Sequence, residues 1–361
     1  MDDEQHMRAA LALARRGLGA TWPNPAVGCV LVRDGRVVGR GTTAPGGRPH
    51  AETVALAMAA EAARGATAYV TLEPCSHHGH TPPCADALIA AGVSRVVVAG
   101  GDPDPRVDGA GIARLRAAGV RVQTGVLAGE ADSQQAGFLL RVREGRPMVT
   151  LKLATTLDGR IATRTGESQW ITGTPARRAA HALRGRHDAV MAGVGTVLAD
   201  DPDLTCRIPG FRKTPQVRVV LDSTLRTPLT ARLVATTADA PTWIIHGSGA
   251  ESGRRQALEQ AGVRLFATAA PKVDLPTALR LLGGAGLTRV LAEGGAGVAA
   301  SLLAAGLVDR VAWFHAPAVI GGDGLAAVQP FGVSGLDGMP RFSRTGSRVL
   351  GDDMLTELQA A

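Results

Sequence analysis

The chain has 361 residues, which exceeds the usual size of one compact domain and therefore predicts two domains. It is 45% hydrophobic and 20% charged, as in globular proteins, and no run of about twenty apolar residues predicts a membrane span. The net charge is +7, but only 3% of the residues are aromatic, so surfaces for stacking bases are scarce and we expect neither nucleic acid nor membrane as a partner.

The first half of the chain alternates helical and strand patterns. Residues 3–17 have helical periodicity, and the amino-terminal segment lacks the basic head and apolar run of a signal peptide, which predicts a cytoplasmic protein. Residues 26–41 predict a β-hairpin that turns at Asp34-Gly35, a dipeptide suited to positive φ. Helices and strands then alternate up to residue 126, which predicts a three-layer α/β domain.

The pattern restarts near residue 145, after the polar, turn-like segment REGRP. A strand over 148–159 follows, and strands and helices alternate as far as residue 317. We place the boundary within 144–147, which divides the chain into domains 1–145 and 146–361. The second half is predicted as another α/β domain.

A His-x-Glu pair and two cysteines form the first candidate site. His50 and Glu52 stand at the start of a predicted helix, Cys75 follows a strand, and Cys84 begins the next helix. Imidazole and thiolates are good Zn²⁺ ligands, and three protein ligands leave a fourth position for water. Zn²⁺ lowers the pKa of that water, so hydroxide is available near neutral pH. Glu52 can then carry a proton from the water to a leaving amine, as in the zinc deaminases of nucleobases.

The length and sequence of the loop between the two cysteines indicate which zinc deaminases this chain resembles. The loop has eight residues, SHHGHTPP, against two in the nucleobase deaminase signature. Together with PHAE and WPNPAVGCVLV, this loop resembles the deaminase half of the bifunctional riboflavin-biosynthesis deaminase–reductases. The resemblance implies a cytidine-deaminase-like domain that replaces an exocyclic amine of a phosphorylated pyrimidine, a phosphoribosylaminopyrimidine, by oxygen.

The same resemblance implies substrate contacts in the first domain. It places Asn24 in the base pocket, and it places His77 and the segment 79–81, with His80, at the ribose phosphate. Two positions depart from the family pattern, because His80 stands where Arg is usual and Thr43 stands where a His is frequent. Both departures concern phosphate binding rather than the metal.

The second half offers two glycine turns but no dinucleotide or P-loop motif. It has no GxGxxG between a strand and a helix and no GxxxxGK. In VMAGVGT and VLAEGGAGVAAS a strand runs into a glycine turn that opens a helix, an arrangement suited to a phosphate. These segments, with KLATTLDG, ESQWITG and LDST, resemble the dihydrofolate-reductase-like α/β half of the same family, which uses NADPH.

The resemblance implies that this half reduces the ribosyl group of the deaminated product to ribityl. It implies these cofactor contacts: Ala154, Trp170, Thr196, Asp200, Ser223, Gly295, Ala296, Gly297, Val298, Ala299, Ala300 and Ser301. It implies these substrate contacts: Ser168, Arg184, Leu204, Arg207 and Glu293. Lys152 and Asp200 are candidate proton donors, and Lys152 could equally bind the phosphate or ribose of the substrate. A homodimer or higher homo-oligomer, formed through the second domain, is also implied.

An alternative stays open at this point. The chain could be a nucleic-acid or nucleoside zinc deaminase with an inactive or unrelated second domain. The sparse aromatics and the eight-residue loop between the cysteines count against it.

Overall fold

The structure, a computed structural model, describes residues 2–78, 82–212 and 214–361. It divides the chain into two compact units, Met1–Gly145 and Arg146–Ala361. Within the described residues, every helix is too short or too polar to cross a bilayer.

The first unit is built on a five-stranded sheet with strand order β2-β1-β3-β4-β5. Strands β3, β4 and β5 run parallel, and β1 is antiparallel to β2 and β3. The elements are α1 (Asp3–Arg15), β1 (Gly28–Arg33), β2 (Arg36–Thr42), α2 (Ala51–Ala59), β3 (Thr67–Leu72), α3 (Cys84–Ala90), β4 (Arg95–Gly100), α4 (Ala110–Ala117), β5 (Arg121–Thr124) and α5 (Ala128–Glu144).

Both faces of this sheet are covered, as the three-layer prediction requires. Alternate residues of β1 enter different cores: Leu31 packs with the α2 and α3 side, and Val30 packs with the α1 side. The predicted hairpin turn is confirmed, because Asp34 and Gly35 have φ values of 50° and 72°.

Two glycines of β2 allow α2 to approach the sheet at backbone distance. A Cβ at Gly39 would lie 2.3 Å from the carbonyl oxygen of Ala55, and one at Gly41 would lie 2.2 Å from that of Ala51. Real Cβ atoms do not approach this closely, so only glycine fits. The close contact fixes the start of α2, where Glu52 is located.

The second unit is built on a nine-stranded sheet with order β11-β10-β9-β8-β12-β6-β13-β16-β15, and β7 pairs separately with β14. Its elements are β6 (Met148–Thr155), β7 (Arg160–Ala162), α6 (Thr174–Gly185), β8 (Ala189–Gly193), α7 (Val194–Asp200), β9 (Val217–Leu221), α8 (Arg232–Ala235), β10 (Thr242–His246), α9 (Ser252–Gln260), β11 (Arg264–Ala267), α10 (Leu275–Gly284), β12 (Arg289–Glu293), α11 (Ala296–Ala304), β13 (Arg310–His315), β14 (Leu325–Ala326), β15 (Phe342–Leu350) and β16 (Asp353–Ala360).

Seven strands of this sheet, β11 to β13 in the spatial order, are parallel, and β16 is antiparallel to β13. The α/β prediction for the second half is therefore confirmed. The sequence patterns did not reveal the carboxyl-terminal hairpin β15–β16, which extends the sheet beyond β13. The carboxyl ends of the neighbouring strands β8, β12 and β6 meet at one edge, which positions the second site.

A neutral histidine is buried beneath this sheet. The two ring nitrogens of His187 lie 2.8 Å from the carbonyl oxygen of Leu183 and 2.9 Å from Oγ1 of Thr150. Burial is the main reason that the pKa of His187 is lowered to about 3, and the positive charge of Arg289 adds to it. Below its ordinary pKa of 6.5, the unfolded chain binds a proton that the folded chain does not.

We expect acid to destabilise the second unit through His187. Because the pKa is lowered on folding, the stabilisation is present above pH 6.5 and is lost as the pH falls toward 3. Between pH 7 and pH 5 the loss is about 2 kcal/mol. Urea unfolding followed by tryptophan fluorescence should show a pH dependence that is smaller by about this amount in His187→Gln. Equal pH dependence in both proteins would contradict the assignment.

Candidate functional site

Three predicted metal ligands converge in the first unit. His50 Nδ1 lies 3.3 Å from Cys84 Sγ and 3.7 Å from Cys75 Sγ, and all three ligand atoms lie within 4.8 Å of one another. In a tetrahedral zinc site, nitrogen and sulfur ligands are about 3.5 Å apart. The donor set and spacing therefore fit Zn²⁺. No other cluster of three such side chains is found in residues 2–78, 82–212 and 214–361.

Each ligand is held at the end of a regular element. His50 is the residue immediately before α2, Cys75 lies just beyond β3, and Cys84 is the first residue of α3. The backbone N–H of Cys84 donates to Cys75 Sγ at 3.3 Å. Hydrogen bonding from the Cys84 thiol is the chief cause that lowers the pKa of Cys75 to about 4, and the same contact raises the pKa of Cys84, so Cys75 is the thiolate of the pair.

Glu52 is buried beside these ligands, with 3% of its surface exposed. Burial raises the pKa of its carboxyl group to about 7. A carboxyl group with a pKa near neutrality can both accept and donate a proton under physiological conditions. Glu52 therefore has the properties of a general acid–base group.

A pocket of about 130 Å³ is lined by two of the three ligands, His50 and Cys75. It contains four of the predicted side chains besides Cys75, namely Asn24, His50, Glu52 and His77. The structure shows no hydrogen-bond partner within the described residues for the buried Nδ1 of His77, which leaves that nitrogen available to a ligand. His80, predicted at the ribose phosphate, lies outside the described residues.

Among the other side chains that line the pocket, sequence reasoning did not single out Glu73, Asp102, Asp104, Arg106 and Phe138. Asp102 and Asp104 have different environments. Burial raises the pKa of Asp102 to about 6, whereas hydrogen bonding from Arg106 lowers that of Asp104 to about 2. Thr43, at the position where a family His is frequent, also lines the pocket, and its Oγ1 accepts the N–H of Val27 at 3.0 Å.

The second unit has a cleft of about 830 Å³ along the edge where β6, β8 and β12 end. Both predicted glycine turns line it: Gly193 immediately precedes α7, in which Gly195 is the second residue, and Gly294 and Gly295 lead into α11. The following predicted cofactor and substrate residues also line the cleft: Lys152, Ala154, Ser168, Thr196, Asp200, Ala296, Gly297, Val298 and Ala299.

A buried ion network lies at the end of β12. Arg184 donates to both carboxylate oxygens of Glu293, at 2.9 and 2.8 Å, and to the carbonyl oxygen of Thr205 at 3.0 Å. Lys152 Nζ lies 3.9 Å from the same carboxylate. Burial raises the pKa of Glu293, but Arg184 and Lys152 outweigh it and lower the pKa to about 2. The structure thus links three of the predicted substrate residues.

Other predicted side chains lie elsewhere. Trp170 is 65% exposed and lines a separate pocket of about 540 Å³, where the Arg177 guanidinium lies 4.7 Å from its ring centroid. Leu204 is buried with Val190 and Ala192, so its side chain does not face the cleft. Arg207 pairs with Asp203 at 3.1 Å on the surface.

Three more predicted cofactor residues lie outside the lining of the cleft. Ser223 Oγ accepts the N–H of Val273 at 3.0 Å. Ala300 is buried within α11, and Ser301 Oγ donates to the carbonyl oxygen of Gly297 at 2.9 Å. Their contacts with a cofactor stay predictions.

One wall of the cleft carried no sequence signal. The small sheet β7–β14 and the residues after it contribute Ile161, Ala162, Gln329 and Pro330. The backbone N–H of Gln329 donates to the carbonyl oxygen of Ala296 at 3.1 Å, which holds this segment against the glycine turn. Residues so far apart in the chain form one wall only through the tertiary fold.

Two family models match the chain in these same regions. The model described as the cytidine and deoxycytidylate deaminase zinc-binding region matches residues 1–100. The model described as the RibD C-terminal domain matches residues 147–356.

Similar proteins extend the match to the full length. The riboflavin biosynthesis protein RibD of Escherichia coli K12 is 42% identical over 100% of both chains, and that of Bacillus amyloliquefaciens is 45% identical over 89% of this chain and 86% of its own. The solved structure of Acinetobacter baumannii RibD, form 1, has a TM-score of 0.90 at 38% identity and covers 99% of both chains.

A Thermotoga maritima structure, titled as a diaminohydroxyphosphoribosylaminopyrimidine deaminase and 5-amino-6-(5-phosphoribosylamino)uracil reductase, has a TM-score of 0.86 at 35% identity and covers 99% of both chains. Fold and sites together define a two-part enzyme class: a cytidine-deaminase-like zinc deaminase joined to a dihydrofolate-reductase-like reductase.

The chain belongs to the RibD family of riboflavin biosynthesis proteins. The predicted fold class and family resemblance are therefore confirmed, and the cofactors are Zn²⁺ and NADPH. The alternative, a nucleic-acid or nucleoside deaminase with an unrelated second domain, finds no support, because the second half matches the RibD reductase model.

Proposed function

We propose that this chain performs two steps on one phosphorylated pyrimidine. The first unit hydrolytically deaminates 2,5-diamino-6-(5-phosphoribosylamino)pyrimidin-4(3H)-one. The second unit uses NADPH to reduce the ribosyl group of the product, 5-amino-6-(5-phosphoribosylamino)uracil, to ribityl. The observation that carries the proposal is the convergence of His50, Cys75 and Cys84 beside the buried Glu52, in a chain of the RibD family.

In the deaminase site, His50, Cys75 and Cys84 hold the metal and Glu52 moves protons. When bound, Zn²⁺ lowers the pKa of a water molecule so that it can attack the carbon that bears the amine. Glu52 accepts the proton of that water and passes it to the departing amine, which leaves as ammonia. Asn24 contacts the base.

We assign the phosphate of the substrate to the part of the deaminase pocket that His77 lines. Within residues 2–78, 82–212 and 214–361, Nδ1 of His77 has no hydrogen-bond partner, and His80 follows it in the chain. Arg48 also lines the pocket and can attract an anionic ligand, whereas Arg106 pairs there with Asp104.

In the reductase cleft, the chain binds the cofactor and orients the sugar. When bound, NADPH supplies the hydride that reduces the sugar carbon C1′. The turns at Gly193 and Gly295, which precede α7 and α11, would offer backbone N–H groups to its diphosphate. Lys152 and Asp200 both line the cleft, so either can donate the proton that the opened sugar requires.

Gly294→Ala should weaken NADPH binding. A Cβ at this position would lie 3.0 Å from both Cγ2 and Oγ1 of Thr196, and φ at Gly294 is +85°. The turn must therefore shift at the place where the diphosphate is assigned. We expect steady-state kinetics to show that the KM for NADPH rises at least about tenfold, equivalent to about 1.4 kcal/mol.

Gly306→Ala is the matched control for that variant. Gly306 also has positive φ, +63°, but a Cβ there meets no atom within 4 Å. Both variants carry a backbone cost of about 1–2 kcal/mol, which thermal unfolding measures. Only Gly294→Ala should change the KM for NADPH, and an equal change in both would contradict the assignment of the turn.

The function is tested with purified protein and the diaminopyrimidine ribosylamine phosphate. Without NADPH, mass spectrometry should show only the deaminated product, with release of ammonia. With NADPH, the ribityl product should appear and NADPH should be consumed in equal amount. Absence of the deaminated product from zinc-replete protein would overturn the deaminase assignment, and reduction without a nicotinamide would overturn the second assignment.

The proposal also covers where the enzyme acts and how its chains assemble. We expect the enzyme to act in the cytoplasm. We also expect a homodimer or higher homo-oligomer, which sedimentation analysis of the purified protein tests.

A further inference from the structure

Glu73 is a buried carboxylate that lines the deaminase pocket, and the proposed deamination assigns it no role. It follows β3 and precedes Pro74 and the metal ligand Cys75. Only 4% of its surface is exposed. A buried charge is costly unless partners satisfy it, so the position of this group calls for a physical reason.

The partners of Glu73 are three backbone N–H groups at the start of α4. Gly109 donates to Oε2 at 3.1 Å, and Gly111 and Ile112 donate to Oε1 at 3.0 and 3.2 Å. The first N–H groups of a helix have no partner within the helix, and the helix dipole favours a negative charge there. The carboxylate therefore satisfies these donors and is itself satisfied.

The same region has further attachments between the two segments. Ser76 Oγ donates to the carbonyl oxygen of Arg106 at 3.2 Å. A Cβ at Gly111 would lie 2.0 Å from the carbonyl oxygen of Pro74, so α4 begins in direct backbone contact with the residue before Cys75. Residues 73–76 and the start of α4 thus form one connected structure.

What Glu73 holds in place is the loop over residues 101–109, which joins β4 to α4. Asp102, Asp104 and Arg106 on this loop line the deaminase pocket together with Cys75 and Glu52. Arg106 Nε lies 2.9 Å from Oδ1 of Asp104, which orders the loop internally. The hydrogen bonds of Glu73 therefore connect this wall of the pocket to the strand end that carries a metal ligand.

We propose that Glu73 is a positioning residue of the deaminase site, which sets the place of the 101–109 loop, and with it Asp102, relative to the metal ligands. The proposal rests on the proposed deaminase function. The proposed proton transfer belongs to Glu52, whereas the hydrogen bonds of Glu73 within the described residues go to backbone N–H groups at the start of α4. It acts on substrate binding through the loop.

The test uses Glu73→Gln in the full-length, zinc-replete protein. Glutamine keeps one acceptor oxygen but turns an NH₂ group toward the N–H donors of α4, so the start of the helix and the loop must shift. We expect the deaminase KM for the diaminopyrimidine substrate to rise about tenfold, with kcat changed less than about threefold. Zinc should stay at one per chain, and reduction of the supplied deaminated substrate should be unchanged.

Two further variants make the result specific. Glu130→Gln alters an exposed acid in the first turn of α5. It should leave unchanged the deaminase KM for the diaminopyrimidine substrate and the reductase KM for the deaminated substrate. Glu73→Asp keeps the charge on a shorter side chain and should give a KM between those of the parent and Glu73→Gln. If the first unit of Glu73→Gln does not fold, which a loss of its thermal unfolding transition by circular dichroism would reveal, Glu73→Asp takes its place in the comparison.

A double-variant cycle with Asp102→Asn separates positioning from a merely structural role. If Glu73 acts through the loop, the KM effects of Glu73→Gln and Asp102→Asn should not multiply in the double variant, because both disturb the same contact with the substrate. Multiplicative effects would overturn the proposal. So would an unchanged KM in Glu73→Gln, or a fall in kcat that follows loss of zinc. Failure of the deaminase assignment is distinguishable, because the parent protein itself would then be inactive.

Discussion

Glu52→Gln is expected to lower the deaminase kcat by roughly 10²–10⁴-fold, the usual contribution of a general acid–base group. Glutamine has nearly the same shape, but it cannot take the proton of the attacking water or return it to the departing amine. Glu52 is adjacent to the metal group but not one of its three members, so the variant should retain one zinc per chain. Ammonia release and elemental analysis measure the two quantities.

Two controls show whether that loss is specific to the chemistry. Glu61→Gln makes the same substitution at an exposed glutamate beyond α2 and should leave deamination unchanged. The second unit provides an internal control, because reduction of supplied deaminated substrate should be the same in Glu52→Gln and the parent. Loss of zinc in parallel with activity would mean that Glu52 supports the metal site rather than proton transfer.

The metal site was predictable because its signal is local. His50 and Glu52 stand two residues apart at a helix start, and Cys75 and Cys84 flank a short loop, so a single pass along the sequence reveals all four. The elements that bring them together, β3 and the starts of α2 and α3, also have clear periodic patterns.

The loop that brings Asp102 and Asp104 into the same pocket was not predictable in this way. Asp102 and Asp104 follow β4, and they reach the pocket because β4 pairs with β3 in parallel and Glu73 binds the start of α4. Acidic residues are common in loops between a strand and a helix, so their presence there does not by itself predict a site. Only the tertiary contacts give them a place beside Cys75.

The residues of the reductase cleft divide in the same way: local sequence patterns predicted some of them, and only the tertiary fold brings the others there. The turns before α7 and α11 were visible as glycines between a strand and a helix, and both line the cleft. Gln329 could not be found, because the wall it forms depends on the pairing of β7 with β14, about 160 residues apart in the chain. Trp170 came from the family resemblance, and its side chain faces a different pocket.

The pair of Arg184 and Glu293 should give the largest stability effect in the second unit. Glu293 is 6% exposed and binds Arg184 through two hydrogen bonds, so Glu293→Leu leaves a buried guanidinium without its carboxylate. Breaking a buried pair at one partner costs about 3–5 kcal/mol. Urea unfolding should show this loss in Glu293→Leu, whereas Glu357→Gln, at an exposed ion pair in the same unit, should cost less than about 1 kcal/mol.

The double variant Arg184→Met with Glu293→Leu then separates stability from function. Replacing both members of a buried ion pair by apolar side chains is often neutral for stability, so the double variant should recover most of the loss seen in Glu293→Leu. Its reductase activity should not recover, because the family resemblance implies that Arg184 and Glu293 contact the substrate, and Glu293 lies 3.9 Å from Lys152, which lines the cleft. A stable double variant with the parent's KM and kcat for reduction would mean that the pair serves the fold alone.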